Sequence, residues 1–141
     1  MKSFRTTTHG KWILAGEHSV LRGIPALVFP LSSRSLDFEY TQVDNSSLEL
    51  TLDGDYGREL EILFRGVVEK AFDLKKIPKN LLKGKVRISS SVPVGAGLGA
   101  SASLCVAITR WLSSMGYVAD SERHEFAREL ENLFHGESSG V

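Results

Sequence analysis

Three glycines at alternate positions, followed by small residues and hydroxyls, mark the segment PVGAGLGASAS, residues 93–103. A strand-like stretch precedes it and a stretch with helical periodicity follows, so unpaired N–H groups and a positive helix end would meet here. Glycines let the backbone approach an anion closely, and phosphate is the usual occupant of such places. Ser101 and Ser103 fall in the first helical turn, where a hydroxyl can cap the helix, bind phosphate or ligate magnesium. A plain strand-to-helix turn with serine caps explains the same residues, so both interpretations stay open.

The spacing of these glycines excludes two familiar nucleotide-binding loops. No Gly-Lys-Ser/Thr follows them, as a Walker loop requires, and their alternate spacing does not fit Gly-x-Gly-x-x-Gly. A P-loop or Rossmann fold is therefore not predicted.

A second candidate segment is GKWILAGEHSV, residues 10–20, in which a basic residue opens an apolar strand and a Glu-His pair follows it. Lys11 would have a fixed backbone and a mobile ammonium group, which suits pairing with a phosphate or a carboxylate. It can equally be a solvated lysine at a strand end, and Glu17-His18 can equally cap a turn.

A third candidate lies near the end of the chain, where Glu131 and His135 stand four residues apart and share a helix face. A carboxylate near the end of a buried helix can bind a hard cation such as Mg²⁺. Glu131 can instead be a surface residue paired with Arg128. Glu-x-x-x-His alone is a weak signal for zinc, because no third ligand is apparent.

The composition sets the frame for these candidates. The chain has 141 residues, 42% of them hydrophobic and 24% charged, and its formal net charge is zero. This length suits one domain, and the charge balance indicates neither a nucleic acid nor a membrane as a partner. The chain lacks an apolar signal core, and no apolar run approaches the roughly 18 residues of a membrane span. Its single cysteine, Cys105, forms no internal disulfide and lies among apolar residues, so we expect a cytoplasmic protein with a buried, inert thiol.

Two kinds of pattern predict the strands that must position the candidates. Apolar runs at 12–15 and 26–31 indicate buried strands, and Pro30 should end the second or place it at an edge. Period-two alternation indicates half-exposed strands, which lie at 36–40, 48–52 and 85–92.

Apolar residues at helical spacing predict three helices in the second half of the chain. The first covers 60–71, and the second covers 104–115 with Gly116 as its C-terminal cap. The third begins at Asp120 as N-cap and buries Phe126, Leu130, Leu133 and Phe134. Strands followed by helices favour an α+β fold with helices on one face of a sheet, and Trp12 and Trp111 belong to its core.

Taken together, the three candidate segments resemble the GHMP kinases. Residues 10–31, GKWILAGEHSVLRGIPALVFPL, resemble the first motif of that family, and PVGAGLGASAS resembles its glycine-rich ATP-phosphate loop. The ending HGESSGV resembles the family's His-Gly-x-Pro-Ser-Gly-x-Asp segment, which carries the catalytic aspartate. The matches lie in the expected order and span nearly the whole chain. His18 and the ending resemble most the branch that phosphorylates mevalonate.

The resemblance implies a fold, an activity and a set of site residues. The fold is the mixed sheet of the ribosomal protein S5 domain 2-like type, with helices packed on one face. The activity is ATP-dependent phosphorylation of a small alcohol, mevalonate to 5-phosphomevalonate in isoprenoid precursor synthesis, with ATP and Mg²⁺ as cofactors. Lys11 would polarise the substrate hydroxyl, and Glu17 and His18 would lie near the substrate. Ser101 and Glu131 would ligate Mg²⁺. The ATP phosphates would be wrapped by Gly95, Ala96, Gly97, Leu98, Gly99, Ala100, Ser101 and Ser103.

The chain departs from the family pattern at three positions and at its end. Ala100 replaces the first serine of the usual pair, His9 replaces a proline before Gly-Lys, and Ser138 replaces a proline of the last motif. The chain stops at Val141, one residue before the expected aspartate. We therefore expect residues 1–141 to form an incomplete N-terminal GHMP kinase domain, with the C-terminal domain absent and little turnover on its own.

Two alternatives to this function remain. One is a GHMP kinase that acts on phosphomevalonate, galactose or homoserine. The other is a non-catalytic, kinase-derived binding module, which the replacement of a serine by Ala100 favours slightly. The expected partners are the alcohol substrate and ATP, with no nucleic acid and no membrane. A homodimer is a further expectation, since the surface for a second domain would favour association.

Overall fold

The computed structural model describes residues 3–15, 27–44, 47–54, 56–80, 83–94 and 99–135, and gives only the backbone of 11–15, 27–32 and 133–135. The elements in chain order are β1 Ser3–Ala15, β2 Leu27–Thr41, β3 Leu48–Asp53, α1 Gly57–Lys75, β4 Gly84–Ser90, α2 Ala100–Ser114, a 3₁₀ helix Asp120–Glu122 and α3 Arg123–His135.

The described strands form one mixed sheet in the order β1-β2-β4-β3. β1 is antiparallel to β2 and β2 is antiparallel to β4, whereas β3 lies parallel to β4. Helix α1 joins the two parallel strands, because neighbouring parallel strands need a crossover connection. The predicted α+β fold with a mixed sheet is confirmed.

The strands predicted at 26–31 and 36–40 belong to one long strand, β2. Its pairing with β1 slips in the middle, since His9 lies opposite Ser35 while the next residue, Gly10, lies opposite Leu31. The three residues of β2 between Leu31 and Ser35 are therefore not paired with residues of β1.

Pro30 does not end β2, so that part of the prediction is wrong. The residue pairs with Lys11 of β1 and lies in the first part of the strand. The described pairing with β4 starts only at Leu36, so β1 is the one described neighbour of the stretch that contains Pro30. A residue without an N–H is tolerated where a strand is paired on one side.

The three helices pack on one face of the sheet. Alternate residues of the strands, such as Phe38 and Ile88, are fully buried against the helices, while Asp37 and Arg87 between them point to the other face. Trp111 of α2 lies at the centre of this core, with its ring 5.4 Å from that of Phe38 and 5.0 Å from that of Tyr40. The expectation that Trp111 is a core residue is confirmed, whereas the side chains of Trp12, Leu133 and Phe134 lie outside the described part of the structure.

The helix predictions hold with one correction at the start of the third helix. Gly116 follows α2 with a φ of 86° and donates its N–H to the carbonyl of Ser113, as a C-terminal glycine does. Asp120 does not cap α3, because its carboxylate accepts hydrogen bonds from the Ser113 hydroxyl and the Arg123 guanidinium. A short 3₁₀ turn precedes α3 instead, and Glu122 closes it by accepting the N–H of Ala119 at 2.9 Å.

None of the helices within the described ranges has both the length and the apolar character needed to cross a bilayer.

Candidate functional site

The N terminus of α2 meets the end of the glycine segment. Gly99 is the N-cap of this helix and has a φ of 84°, a left-handed conformation that glycine adopts at little cost. No side chain among the described residues caps the helix, and its first turn carries no acidic residue. The N–H groups of this turn and the positive end of the helix dipole therefore favour an anion at this point.

Two of the predicted site residues meet beside this helix end. The Ser101 hydroxyl donates a hydrogen bond to the Glu131 carboxylate, with 3.0 Å between Oγ and Oε1. Ser101 lies in the first turn of α2 and Glu131 in the second half of α3, and both side chains are half-buried. The packing of α2 against α3 thus brings together two oxygen-bearing side chains that are thirty positions apart in the sequence.

Cys105 lies one helical turn after Ser101 and also contacts the Glu131 carboxylate. Its thiol is 1% exposed and hydrogen-bonds with Glu131. Burial raises the pKa of this thiol far above its ordinary value, and the neighbouring negative carboxylate raises it further. The predicted burial of this thiol is confirmed, and its low reactivity stays a prediction that the raised pKa supports. The contact between Cys105 and Glu131 was not predicted from the sequence. The four-residue spacing of Ser101 and Cys105, which places these two on one face of the helix, could have indicated it.

Ser103 points to β1 instead of to the open end of the helix. Its hydroxyl donates to the carbonyl of His9 at 2.9 Å, and the Thr8 hydroxyl donates to the carbonyl of Ser103 at 3.1 Å. Thr8 was not predicted as a site residue, because a threonine in a strand has no sequence signal that separates it from its neighbours. A cavity of about 250 Å³ lies beside this junction, between β1 and the first turns of α2, and Gly99 and Arg110 are among its lining residues.

The remaining predicted residues are described in part or not at all. Ala100 is the buried first residue of α2. The backbone of Lys11 lies in β1, one residue beyond the register slip. The Lys11 side chain and the remaining predicted site residues lie outside the described part of the structure, namely Glu17, His18, Gly95, Ala96, Gly97 and Leu98.

The oxygen atoms of Ser101 and Glu131 fit a magnesium ion. Mg²⁺ takes hard oxygen ligands at about 2.1 Å in an octahedron, so neighbouring ligands lie about 3 Å apart. The two oxygens are 3.0 Å apart in the protein. In the described ranges no group of three or more His, Cys, Asp and Glu residues could hold a metal ion. Mg²⁺ typically binds one or two protein side chains and completes its shell with phosphates and water.

The fold and this site define the class of the protein. The family model for the N-terminal domain of GHMP kinases matches residues 63–141, which include most of α1 and all of β4, α2 and α3. The chain belongs to the GHMP kinases.

Several proteins similar to this chain are mevalonate kinases. The mevalonate kinase of Thermococcus gammatolerans is 32% identical over 153 aligned positions, which cover 93% of this chain and 45% of the relative. The crystal structure of the Staphylococcus aureus mevalonate kinase superposes with a TM-score of 0.71 at 27% identity, over 99% of this chain and 48% of the other. The Leishmania major enzyme, solved in complex with R-mevalonate, has a TM-score of 0.68 at 27% identity, over 97% of this chain and 44% of the other. The chain thus corresponds to the N-terminal part of mevalonate kinases and spans about half of their length.

Proposed function

We propose that this chain supplies the ATP-phosphate and Mg²⁺ site of a kinase that transfers the γ-phosphoryl group of ATP to a hydroxyl of mevalonate, forming 5-phosphomevalonate. The observation that carries the proposal is the contact between Ser101 and Glu131 beside the N terminus of α2. Similarity to mevalonate kinases over 93% of the chain supports the choice of mevalonate. Mevalonate kinases lie on the route to isoprenoid precursors, so we propose that role for the product.

The phosphate half of this site is built from backbone. The segment from Gly95 to Gly99 leads into the uncapped start of α2, whose N–H groups can hold phosphate oxygens and whose dipole attracts their charge. The hydroxyl of Ser101 and the carboxylate of Glu131 would hold Mg²⁺. When bound, the ion neutralises charge on the phosphate oxygens during transfer. Positioning and charge neutralisation are the main requirements of phosphoryl transfer, and these residues supply both.

The substrate half of the site is assigned to the segment around β1. Lys11 would place its ammonium group near the reacting hydroxyl and stabilise negative charge that develops there. Glu17 and His18 would lie close to the alcohol. These roles rest on the motif. The contacts of Thr8 and His9 in β1 with the first turn of α2 support the placement proposed for Lys11.

We further propose that residues 1–141 act as an N-terminal domain whose partner domain supplies the rest of the cleft and the catalytic base. The chain spans only 45% of the length of the T. gammatolerans relative, which supports this division. The 141-residue chain alone should therefore turn over little or no substrate. Its location in the cytoplasm and its association into a homodimer stay predictions.

A substrate panel tests the proposed function. The full-length protein that contains residues 1–141 is incubated with ATP, Mg²⁺ and either mevalonate, phosphomevalonate, galactose or homoserine, and ADP release is measured. We expect rapid ADP release with mevalonate and at least about tenfold lower kcat/KM with the others, a difference of about 1.4 kcal/mol in transition-state binding. Preference for another alcohol would refute the substrate assignment. Nucleotide binding without turnover on any of the four would refute the kinase assignment and indicate a binding module.

A further inference from the structure

Two hydrogen bonds of opposite direction join β1 to the first turn of α2. The Thr8 hydroxyl donates to the carbonyl of Ser103 at 3.1 Å, and the Ser103 hydroxyl donates to the carbonyl of His9 at 2.9 Å. Thr8 is 6% exposed and Ser103 is 4% exposed, so the bond between them is shielded from water, and the bond to His9 is partly buried. We call these two bonds the β1–α2 clasp. Each hydroxyl is a side chain of one element and reaches the backbone of the other, so the clasp holds the two backbones at a fixed separation.

The clasp lies beside an irregularity in the pairing of β1 with β2. The pairing of β1 with β2 slips between His9 and Gly10, the two residues at and immediately after the clasp. The described pairing of β4 with β2 begins at Leu36, so on the far side of the slip β4 does not support β2. The ladder between β1 and β2 is thus interrupted beside the clasp, and the contacts with α2 give β1 a second support at this point.

A third contact continues the clasp along the same face of α2. Arg110, seven residues after Ser103, donates from its guanidinium to the hydroxyl of Thr6 at 3.1 Å and to the carbonyl of Thr7 at 3.3 Å. This contact is exposed, so water competes with it and it contributes less than the buried bonds. Its place nevertheless fits the other two bonds, because α2 and β1 run in opposite directions. The later residue of α2 therefore contacts earlier residues of β1.

Lys11 follows the clasp closely along β1. Lys11 lies two residues after His9 in β1, about 7 Å along an extended strand. Ser103 lies in the same helical turn as Ser101, whose hydroxyl contacts Glu131. The clasp thus connects the strand that carries Lys11 to the helical turn that carries the proposed phosphate and metal site.

We propose that Thr8 and Ser103 are positioning residues, which set the distance between Lys11 and the phosphates held at the start of α2. This inference rests on the proposed kinase function. It assigns to Ser103 a role other than direct phosphate contact, because its hydroxyl is directed to β1. Misplacement of a catalytic group by about 1 Å can cost up to about 100-fold in rate, so two weak bonds can have a large effect on catalysis.

The test removes each hydroxyl in the full-length protein and compares it with a matched control. Thr8→Val and Ser103→Ala should each lower kcat about tenfold and change the KM for ATP and for mevalonate less than about twofold. Thr8→Ser keeps the donor and should retain most of the activity. Thr109→Val is the control, since Thr109 is buried in the same helix but donates to the carbonyl of Cys105 within that helix. It should lower the melting temperature while kcat stays unchanged.

Two further readouts separate positioning from a general loss of stability. In a Lys11→Ala background, Ser103→Ala should lower kcat less than about twofold, because the positioned group is gone and residues acting as a unit are not additive. Backbone amide hydrogen exchange at residues 9–13 should become about tenfold faster in Thr8→Val and stay unchanged in Thr109→Val.

The outcomes decide the proposal without relying on one measurement. Equal loss of kcat in Thr109→Val, additive losses with Lys11→Ala, or unchanged exchange at 9–13 would each overturn it. A wild-type protein that exchanges normally but phosphorylates no alcohol would refute the proposed function and the catalytic role of the clasp together. In that case, faster exchange in Thr8→Val would identify the kinase assignment, and not the mechanical link, as the error.

Discussion

Replacing Ser101 by alanine removes one oxygen of the proposed metal site and one hydrogen bond between α2 and α3. A hydrogen bond to a charged group contributes about 1.5–3 kcal/mol, and the lower end applies because both side chains are half-buried and water can replace the donor. A loss of about 1.5 kcal/mol lowers the melting temperature of a domain of this size by about 5 °C. A typical stability of about 5–15 kcal/mol would still leave nearly all molecules folded.

The effect on catalysis should be much larger than this change in stability. The loss of even an outer-shell partner of a metal ligand typically costs about 10–100-fold in metal affinity or activity, and 100-fold corresponds to about 2.7 kcal/mol. We therefore expect Ser101→Ala in the full-length protein to require far more Mg²⁺ for half-maximal activity and to have a kcat about 100-fold lower. The assay is ADP release at saturating ATP and mevalonate over a range of Mg²⁺ concentrations, with melting measured on the same samples.

Ser113→Ala is the matched control for this prediction. Ser113 also belongs to α2 and also donates from its hydroxyl to a carboxylate, Asp120, at 3.1 Å, but at the opposite end of the helix. It should lose a similar or smaller amount of stability and keep the wild-type Mg²⁺ requirement. Glu131→Gln keeps an oxygen that accepts from Ser101 but loses the negative charge of the proposed ligand. It should therefore keep most of the stability and require more Mg²⁺. A Ser101→Ala protein with the Mg²⁺ midpoint and kcat of the wild type would refute the assignment.

Three further changes probe the surroundings of the site. Gly99→Ala forces a side chain into a left-handed conformation, so urea unfolding should show a loss of about 1–2 kcal/mol together with weaker ATP binding, and unchanged unfolding would contradict the assigned backbone. The pKa of Glu122 lies below its ordinary value, first because the Lys75 ammonium hydrogen-bonds to it and then because a backbone N–H does, so this group stabilises the fold above the ordinary glutamate pKa. Melting should accordingly separate wild type from Glu122→Gln at pH 7, with the gap closing as the pH falls through the lowered pKa; a gap that widens in acid would be inconsistent with this sign. Cys105 should resist thiol reagents in the native protein and react at once in urea, whereas fast labelling of the native protein would mean that its burial is wrongly assigned.

The elements with strong periodicity could be predicted from the sequence. Helix α1 carries an apolar stripe that includes Leu60 and Val67, and both side chains are fully buried. The strand around Phe38 alternates strictly, and its alternate residues form the sheet's share of the core. In these segments the apolar residues recur with the period of the helix or strand and are the ones that the fold buries, so the prediction from sequence agrees with the structure.

The first half of β1 and the continuity of β2 could not be predicted in the same way. Residues 3–9 contain three consecutive threonines with little apolar alternation, and they become a strand because β2 pairs with them. Pro30 suggested a break that the register slip accommodates instead. Asp120 had the chemistry of an N-cap, but nearby Ser113 and Arg123 bind its carboxylate. In each case a tertiary contact outweighed a local preference.

The candidate site was predictable in its residue types and not in its connections. The sequence indicated Ser101 and Glu131 separately, and their contact depends on how α2 packs against α3, which no local pattern encodes. The clasp between Thr8 and Ser103 was not predicted for the same reason, because it joins residues 95 positions apart. The sequence placed Ser101 and Ser103 together in the first turn of a helix. In the structure, Ser101 contacts Glu131 of α3, whereas Ser103 contacts His9 of β1.

The most direct test of the account is a crystal structure of the full-length protein with Mg²⁺, a non-hydrolysable ATP analogue and mevalonate. We expect phosphate oxygens within about 3 Å of N–H groups at the start of α2, and a metal ion about 2.1 Å from the Ser101 hydroxyl and the Glu131 carboxylate. We also expect the Lys11 ammonium beside the substrate hydroxyl. A triphosphate bound away from α2, or a metal ion that contacts neither Ser101 nor Glu131, would contradict it.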